Sequence, residues 1–178
     1  MSVRKSLLRW EIAGFLFVCA VGTVLQYLFR WTGGNLIVAA FAGVNESTWE
    51  HMKLLYLPYF VFTMLQYPVF GEPFPNFFAA KATAALVGLL TIPLVYYAVT
   101  GMFGATPDWF NIALFYVSAA VMYLTSHALL DRFLLRGTIW QLLGFALLLV
   151  LALSFILFTY QTPRFPLFQD PRDLRYGI

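Results

Sequence analysis

The chain has 178 residues, 61% of them hydrophobic and 11% charged, with a mean hydropathy of +0.78 and a formal charge of +3. Soluble domains average about 45–50% apolar and about 25% charged residues, so this composition excludes an ordinary soluble domain and points to one all-α, polytopic membrane domain over 1–178. The basic balance does not indicate nucleic acid, because the lysines and arginines are dispersed along topological lines instead of gathered on one face.

Five segments are long enough to cross a bilayer, which takes about 20 apolar residues. The first covers about 11–30 and contains the lone cysteine, Cys19, which reads as a small hydrophobe and leaves no partner for a disulfide. Its basic lead-in and long apolar run read as a retained helix, not a cleaved signal. WTGGN at 31–35 ends it, and LIVAAFAGV at 36–44 is apolar but too short to span, hence an interfacial, re-entrant or packed piece. The second span, about 47–70, carries Pro58 and Pro68. The third, about 76–103, carries Pro93, and both are kinks that neighbouring helices can satisfy. GEPFPN at 71–76 and GATPD at 104–108 are turn chemistry. The fourth span covers about 109–130, the charged loop DRFLLRG follows at 131–137, and the fifth covers about 138–160. The tail, 161–178, has three prolines and mixed charge and reads as non-helical, with Phe165, Phe168 and Tyr176 available to pack on the bundle. An odd number of spans and the lack of an internal repeat do not suit an inverted-repeat carrier.

Arg4, Lys5 and Arg9 precede the first span, and Arg132 and Arg136 lie between the fourth and fifth. With five alternating helices these fall on one side, which makes that side, and the N-terminus, cytoplasmic. The tail then lies outside, with Arg164, Arg172 and Arg175 set against Asp170 and Asp173. Lys81 reads as a lysine snorkelling to the inner face. His127 and Asp131, spaced like a metal pair, read as an interfacial helix end about 20 Å or more from His51.

The stretch VNESTWEHMK at 44–53 places Glu46, Glu50, His51 and Lys53 beside a long apolar run. On a helix, Glu46, Glu50 and Lys53 share one face, and Ser47 and His51 form a second stripe about 100° away. A structural account exists. Asn45 or Ser47 is a helix cap, Ser47 to Glu50 has the form of a capping box, Trp49 suits the interface belt, and Glu50–Lys53 is an ion pair. The functional alternative is a site, because ionisable groups inside a membrane helix are costly unless used. Glu46, Glu50 and His51 form its catalytic centre, and as carboxylate-plus-imidazole donors they also suit a divalent metal ion that activates water. Without metal they suit proton transfer. Asn45, Ser47, Trp49, Lys53 and Asp170 are the support, Asp170 either adding a carboxylate from a folded-back tail or forming a plain Asp-Pro turn.

The same stretch carries a resemblance. Asn45-Glu46-Ser47-Thr48-Trp49-Glu50-His51-Met52-Lys53 has the pattern N-E-S-x-W-E-H-x-K, and the sequence resembles an uncharacterised prokaryotic multi-pass membrane family of unknown function for which that motif is the hallmark. The likeness extends to Pro75-Asn76-Phe77 with Lys81, to Ile92-Pro93 with Tyr97, Thr100, Gly101 and Gly104, and to Pro166-Leu167-Phe168, Asp170-Pro171 and Tyr176-Gly177-Ile178. It implies the plasma (inner) membrane of a prokaryote and a histidine where this chain has Gln26, and it implies no activity.

Three functions remain open. One is an enzyme acting on a lipid or isoprenoid at the outer leaflet, with a divalent cation. Another is a proton- or ion-coupled transporter or channel, for which a homo-oligomer would line the pore. The third is a non-catalytic component in contact with membrane lipids.

Overall fold

The computed structural model describes residues 3–178, with side chains from Lys5 onward; the Arg4 side chain, one of the basic groups counted above, lies outside them. Six α-helices follow in order: α1 (Val3–Trp31), α2 (Leu36–Ala39), α3 (Thr48–Gln66), α4 (Phe77–Phe103), α5 (Asp108–Asp131) and α6 (Thr138–Tyr160). All but α2 are long and apolar enough to span a membrane. Among the described residues there is no strand, only an isolated antiparallel bridge between Gln169 and Tyr176. Five spans put the start of α1 and the carboxy-terminal tail at opposite ends of the bundle.

The first span begins well before Glu11. That residue is therefore two turns inside the helix, 3% exposed, and not at its start. The 36–44 segment is a packed loop. Asn35 Oδ1 accepts from Ile37 and Val38 N, the chain makes one helical turn, and Ala39 and Ala42 are fully buried. The tail is irregular apart from a single 3-10 turn, Pro166–Phe168.

The prolines act as the missing N–H requires. After α3 the chain widens into a π-helical turn, Tyr67–Gly71, with Pro68 at its start, where no donor remains to continue the α ladder. Pro58 sits inside α3 and frees the carbonyl of Leu54, four residues earlier. Here α1 comes close: a Cβ on Gly22 would stand 2.9 Å from Leu54 O and 2.6 Å from Phe115 Cζ. Without solvent to drive helices together, small residues that allow such backbone approach set the packing. Gly144 does the same between α6 and the start of α4, where an added Cβ would meet Phe78 O at 2.6 Å.

The most enclosed span is α3, with 50% of its apolar window buried, and it packs against α1, α4, α5 and α6. Its Tyr56 and Tyr59 are fully buried, and each donates its hydroxyl to a carbonyl of another helix, Leu148 O on α6 and Lys81 O on α4. The opening stretch of α3, the π-free end of the bundle and the tail meet at one end, and that end holds the candidate site.

Lys81 does not snorkel. It is fully buried, and its ammonium donates to Glu11 Oε1 at 2.7 Å beneath the rings of Tyr59, Phe77 and Tyr123, at 5.7, 5.6 and 5.5 Å from their centroids. Gln66 Nε2 donates to the same oxygen at 3.3 Å. The cost of burying a lone ammonium in hydrocarbon exceeds that of burying a compensated pair, so the helices turn Glu11 and Lys81 toward each other. His127 and Asp131 lie at the end of α5, and His127 is half-buried.

Candidate functional site

The loop before α3 places the site. Ser47 is the N-cap of α3, and its Oγ accepts from Glu50 N at 3.3 Å. The capping box is only half formed. Glu50 does not return to Ser47 N, which donates instead to Asn45 Oδ1 at 2.9 Å. Glu46 therefore precedes the helix and does not share a face with Glu50 and Lys53.

Glu50 points inward. Its Oε2 accepts from Lys53 Nζ at 2.6 Å and from Val44 N at 3.1 Å. Lys53, fully buried, spends its other two protons on Ala39 O at 3.0 Å and Thr159 Oγ1 at 2.8 Å. All three ammonium donors are satisfied, so the pair clips the 36–44 loop and α6 to α3. This is the ion pair expected from the i, i+3 spacing, and it turns the Glu50 carboxylate toward Lys53 and the 36–44 loop. Among the described residues no three His, Cys, Asp or Glu side chains gather as a metal-ligand set. Glu46, Glu50 and His51 thus do not converge on one ion, since Glu50 is committed to Lys53.

Glu46 and His51 do converge. His51 Nδ1 lies 2.9 Å from Ser47 O. A carbonyl only accepts, so Nδ1 carries the proton and Nε2 is the exchangeable position. That nitrogen faces Glu46 Oε2 at 3.7 Å. Around the same carboxylate stand Gln26 Nε2, 3.2 and 3.3 Å from its two oxygens, and Arg30 and Arg172, each 3.6 Å from Oε1. Arg172 also donates to Asp108 Oδ1 at 2.9 Å. The Glu46 carboxylate, with Asp108 behind it, holds the Arg172 guanidinium above the usual arginine range.

These groups line a cavity of about 240 Å³ between α1, α3, α5 and the tail. Thr23, Gln26 and Arg30 come from α1, Glu46, His51 and Leu54 from the α3 end, Asp108, Asn111 and Phe115 from α5, and Arg172 from the tail. A second void of about 20 Å³, room for one water, lies between Glu46, His51, Tyr96 and Asn111. The cavity wall is fixed: Thr23 gives its proton to Cys19 O at 2.7 Å, so the Tyr116 hydroxyl donates to Thr23 Oγ1 across 2.9 Å.

The supporting residues hold the tail. Asp170, 7% exposed, accepts from Glu46 N at 2.9 Å and from Arg172 N at 2.8 Å. It forms a turn and also pins the tail to the site. Each of its oxygens accepts from one backbone donor. Asn45 Nδ2 donates to Gly177 O at 3.0 Å. Trp49 packs its ring at a tilt against Phe155, Phe158 and Phe168, with centroids 4.4, 5.7 and 4.7 Å away.

Arg30, Asp108, Asn111 and Arg172 are not among the site residues read from the sequence, and Gln26 is marked there only as the position where the family resemblance implies a histidine. Their spacing in the chain carries no local period, and the remaining signal is that Arg30 and Asp108 fall at span ends on the side of the tail that carries Arg172. No curated protein and no solved structure matches the chain. Its whole length, residues 1–178, matches the model of a family of unknown function, DUF6512, and the protein belongs to that family.

Proposed function

We propose that the cavity is an acid–base site that acts on the polar headgroup of a membrane amphiphile, a lipid or an isoprenoid. The single observation carrying this is the Glu46–His51 pair, 3.7 Å apart, in a cavity lined by both polar and apolar side chains. Ser47 O fixes the imidazole so that Nε2 alone exchanges a proton. Glu46, oriented by Gln26 and two arginines, stabilises the imidazolium that forms when His51 takes a proton from a headgroup oxygen. Lys5 and Arg9 at one end of the bundle, together with Arg132 and Arg136, favour a cytoplasmic amino-terminal end. In a prokaryotic plasma membrane the cavity then opens at the outer leaflet.

The test is a comparison of membrane lipids by mass spectrometry in cells making the wild type, Glu46→Gln or His51→Gln at equal protein levels. A lipid species should change with the wild type and stay at the empty-vector level with either variant. Identical profiles in all four samples would overturn the proposal.

A second reading, proton-coupled transport, draws on the Glu11–Lys81 pair. Glu11 Oε2, Gln66 Oε1 and the Tyr123 hydroxyl are buried there without hydrogen-bond partners, and buried ionisable groups of this kind mark proton pathways in membrane proteins.

A further inference from the structure

The rim of the cavity holds more hydrogen-bond donors than the protein itself uses. A guanidinium carries five N–H donors and no acceptor. Arg30, its side chain 69% exposed, makes a single approach, to Glu46 Oε1 at 3.6 Å. Arg172 spends one N–H on Asp108 and otherwise approaches the same Glu46 oxygen, also at 3.6 Å. Both approaches are longer than a good hydrogen bond. Two guanidinium groups, one from the last turn of α1 and one from the tail, are thus brought to a single point at the cavity mouth with most of their donors uncommitted.

The space beside them suits a headgroup. The cavity, about 240 Å³, is far larger than the neighbouring void of about 20 Å³ that has room for one water. Its side between α1 and α5 is rimmed by Tyr27, Ile112 and Tyr116, which are 44%, 55% and 37% exposed. These continue into the outward apolar faces of the two spans through Val24 and Val117, which are also exposed. A chain lying on that face would enter the cavity sideways, its polar end reaching the arginines.

We infer that the cavity binds a phosphate-bearing amphiphile, with Arg30 and Arg172 together gripping the phosphate and the α1–α5 rim receiving the acyl or prenyl chain. This rests on the reading that an amphiphile occupies the cavity, and it names the headgroup. Arginine forks match phosphate oxygens two at a time, which a carboxylate at 3.6 Å does not exploit. Glu46 and Asp108 hold the two forks in position while the site is empty. Asp108, its side chain 78% exposed, remains solvated when the phosphate takes its place on Arg172. Glu46 keeps Gln26 and His51 when its two long contacts to arginine are given up.

The experiment is equilibrium binding to the purified full chain in an uncharged detergent. The probes are dioctanoyl phosphatidic acid, dioctanoylglycerol with the same chains but no phosphate, and inorganic phosphate. The phosphatidic acid should bind saturably and about tenfold or more tighter than dioctanoylglycerol, and Arg30→Gln and Arg172→Gln should each weaken it about fivefold or more. Both arginines are on the surface, so the melting temperature should not move. Equal binding of dioctanoylglycerol, or unchanged binding in both arginine variants, overturns the inference. Inorganic phosphate binding as tightly as the lipid keeps the arginine clamp and overturns the amphiphile as its source. A protein that binds the phosphatidic acid but leaves cellular lipids unchanged would sink the acid–base reading alone. Lipid turnover without phosphate-dependent binding would sink this inference alone.

Discussion

Four residues apart, Glu46 and Glu50 have opposite fates, and the difference is set by where each oxygen finds a donor. Glu50 is enclosed with Lys53, Val44 N and, through Lys53, Ala39 and Thr159. Glu46 meets only longer contacts at a cavity edge. Removing one partner of a buried pair leaves the other charge uncompensated, at about 3–5 kcal/mol, whereas replacing both with apolar groups is often near neutral. We therefore expect Lys53→Met to lower stability by about that amount and Glu50→Leu/Lys53→Met to recover most of it. Glu46→Gln should stay within about 1 kcal/mol of the wild type, as edge contacts usually do. Thermal melting of the detergent-solubilised protein would check all three, and equal losses in Lys53→Met and the double variant would refute the pairing account.

At the scale of elements, the prolines and glycines work in concert. Pro58 leaves Leu54 O without its helical donor, and Gly22 lets α1 approach that carbonyl. Phe115 can rotate away from an added methyl group, but a backbone oxygen at 2.9 Å cannot. Gly22→Ala should therefore cost about 1–3 kcal/mol by overpacking, seen as a lower melting temperature, and should press α1 away from the cavity wall that Gly22 shares with Leu54 and Phe115. An unchanged melting temperature would mean that α1 shifts freely there. The spans themselves were legible in the sequence because a bilayer leaves each helix to satisfy its own backbone. The first span was placed too late because Lys5, Arg9 and Glu11 mask an apolar helix that continues through them. The tail was legible as irregular, but its route back to Glu46 was not: Asp170 reaches across 124 residues of chain, and no local pattern records such a contact.

At the scale of the molecule, two clusters of ionisable side chains occupy the two ends of one bundle: the Glu46–His51 cavity beside the tail, and the Glu11–Lys81 pair enclosed toward the other end. If the second pair carries protons, proteoliposomes under a pH gradient should dissipate it faster with wild type than with Glu11→Gln/Lys81→Met, a double change that keeps the buried charge balanced. Equal rates would leave the pair a purely structural tie between α1 and α4. The sequence by itself determined the five spans and the irregular tail, and it offered Ser47 as one of two caps and Glu50–Lys53 as one of two fates for those side chains. All of these depend on interactions within a few residues, where hydrophobic length and helical spacing are read directly. Only the tertiary structure decided that Lys81 meets Glu11, that the Glu50–Lys53 pair is tied to Val44, Ala39 and Thr159, and that Gln26, Arg30 and Arg172 surround Glu46. Those outcomes follow from how each helix is rotated and how closely its neighbours pack, and the charge partners involved come from α1, α4 and the tail, distant in the chain and without a shared period.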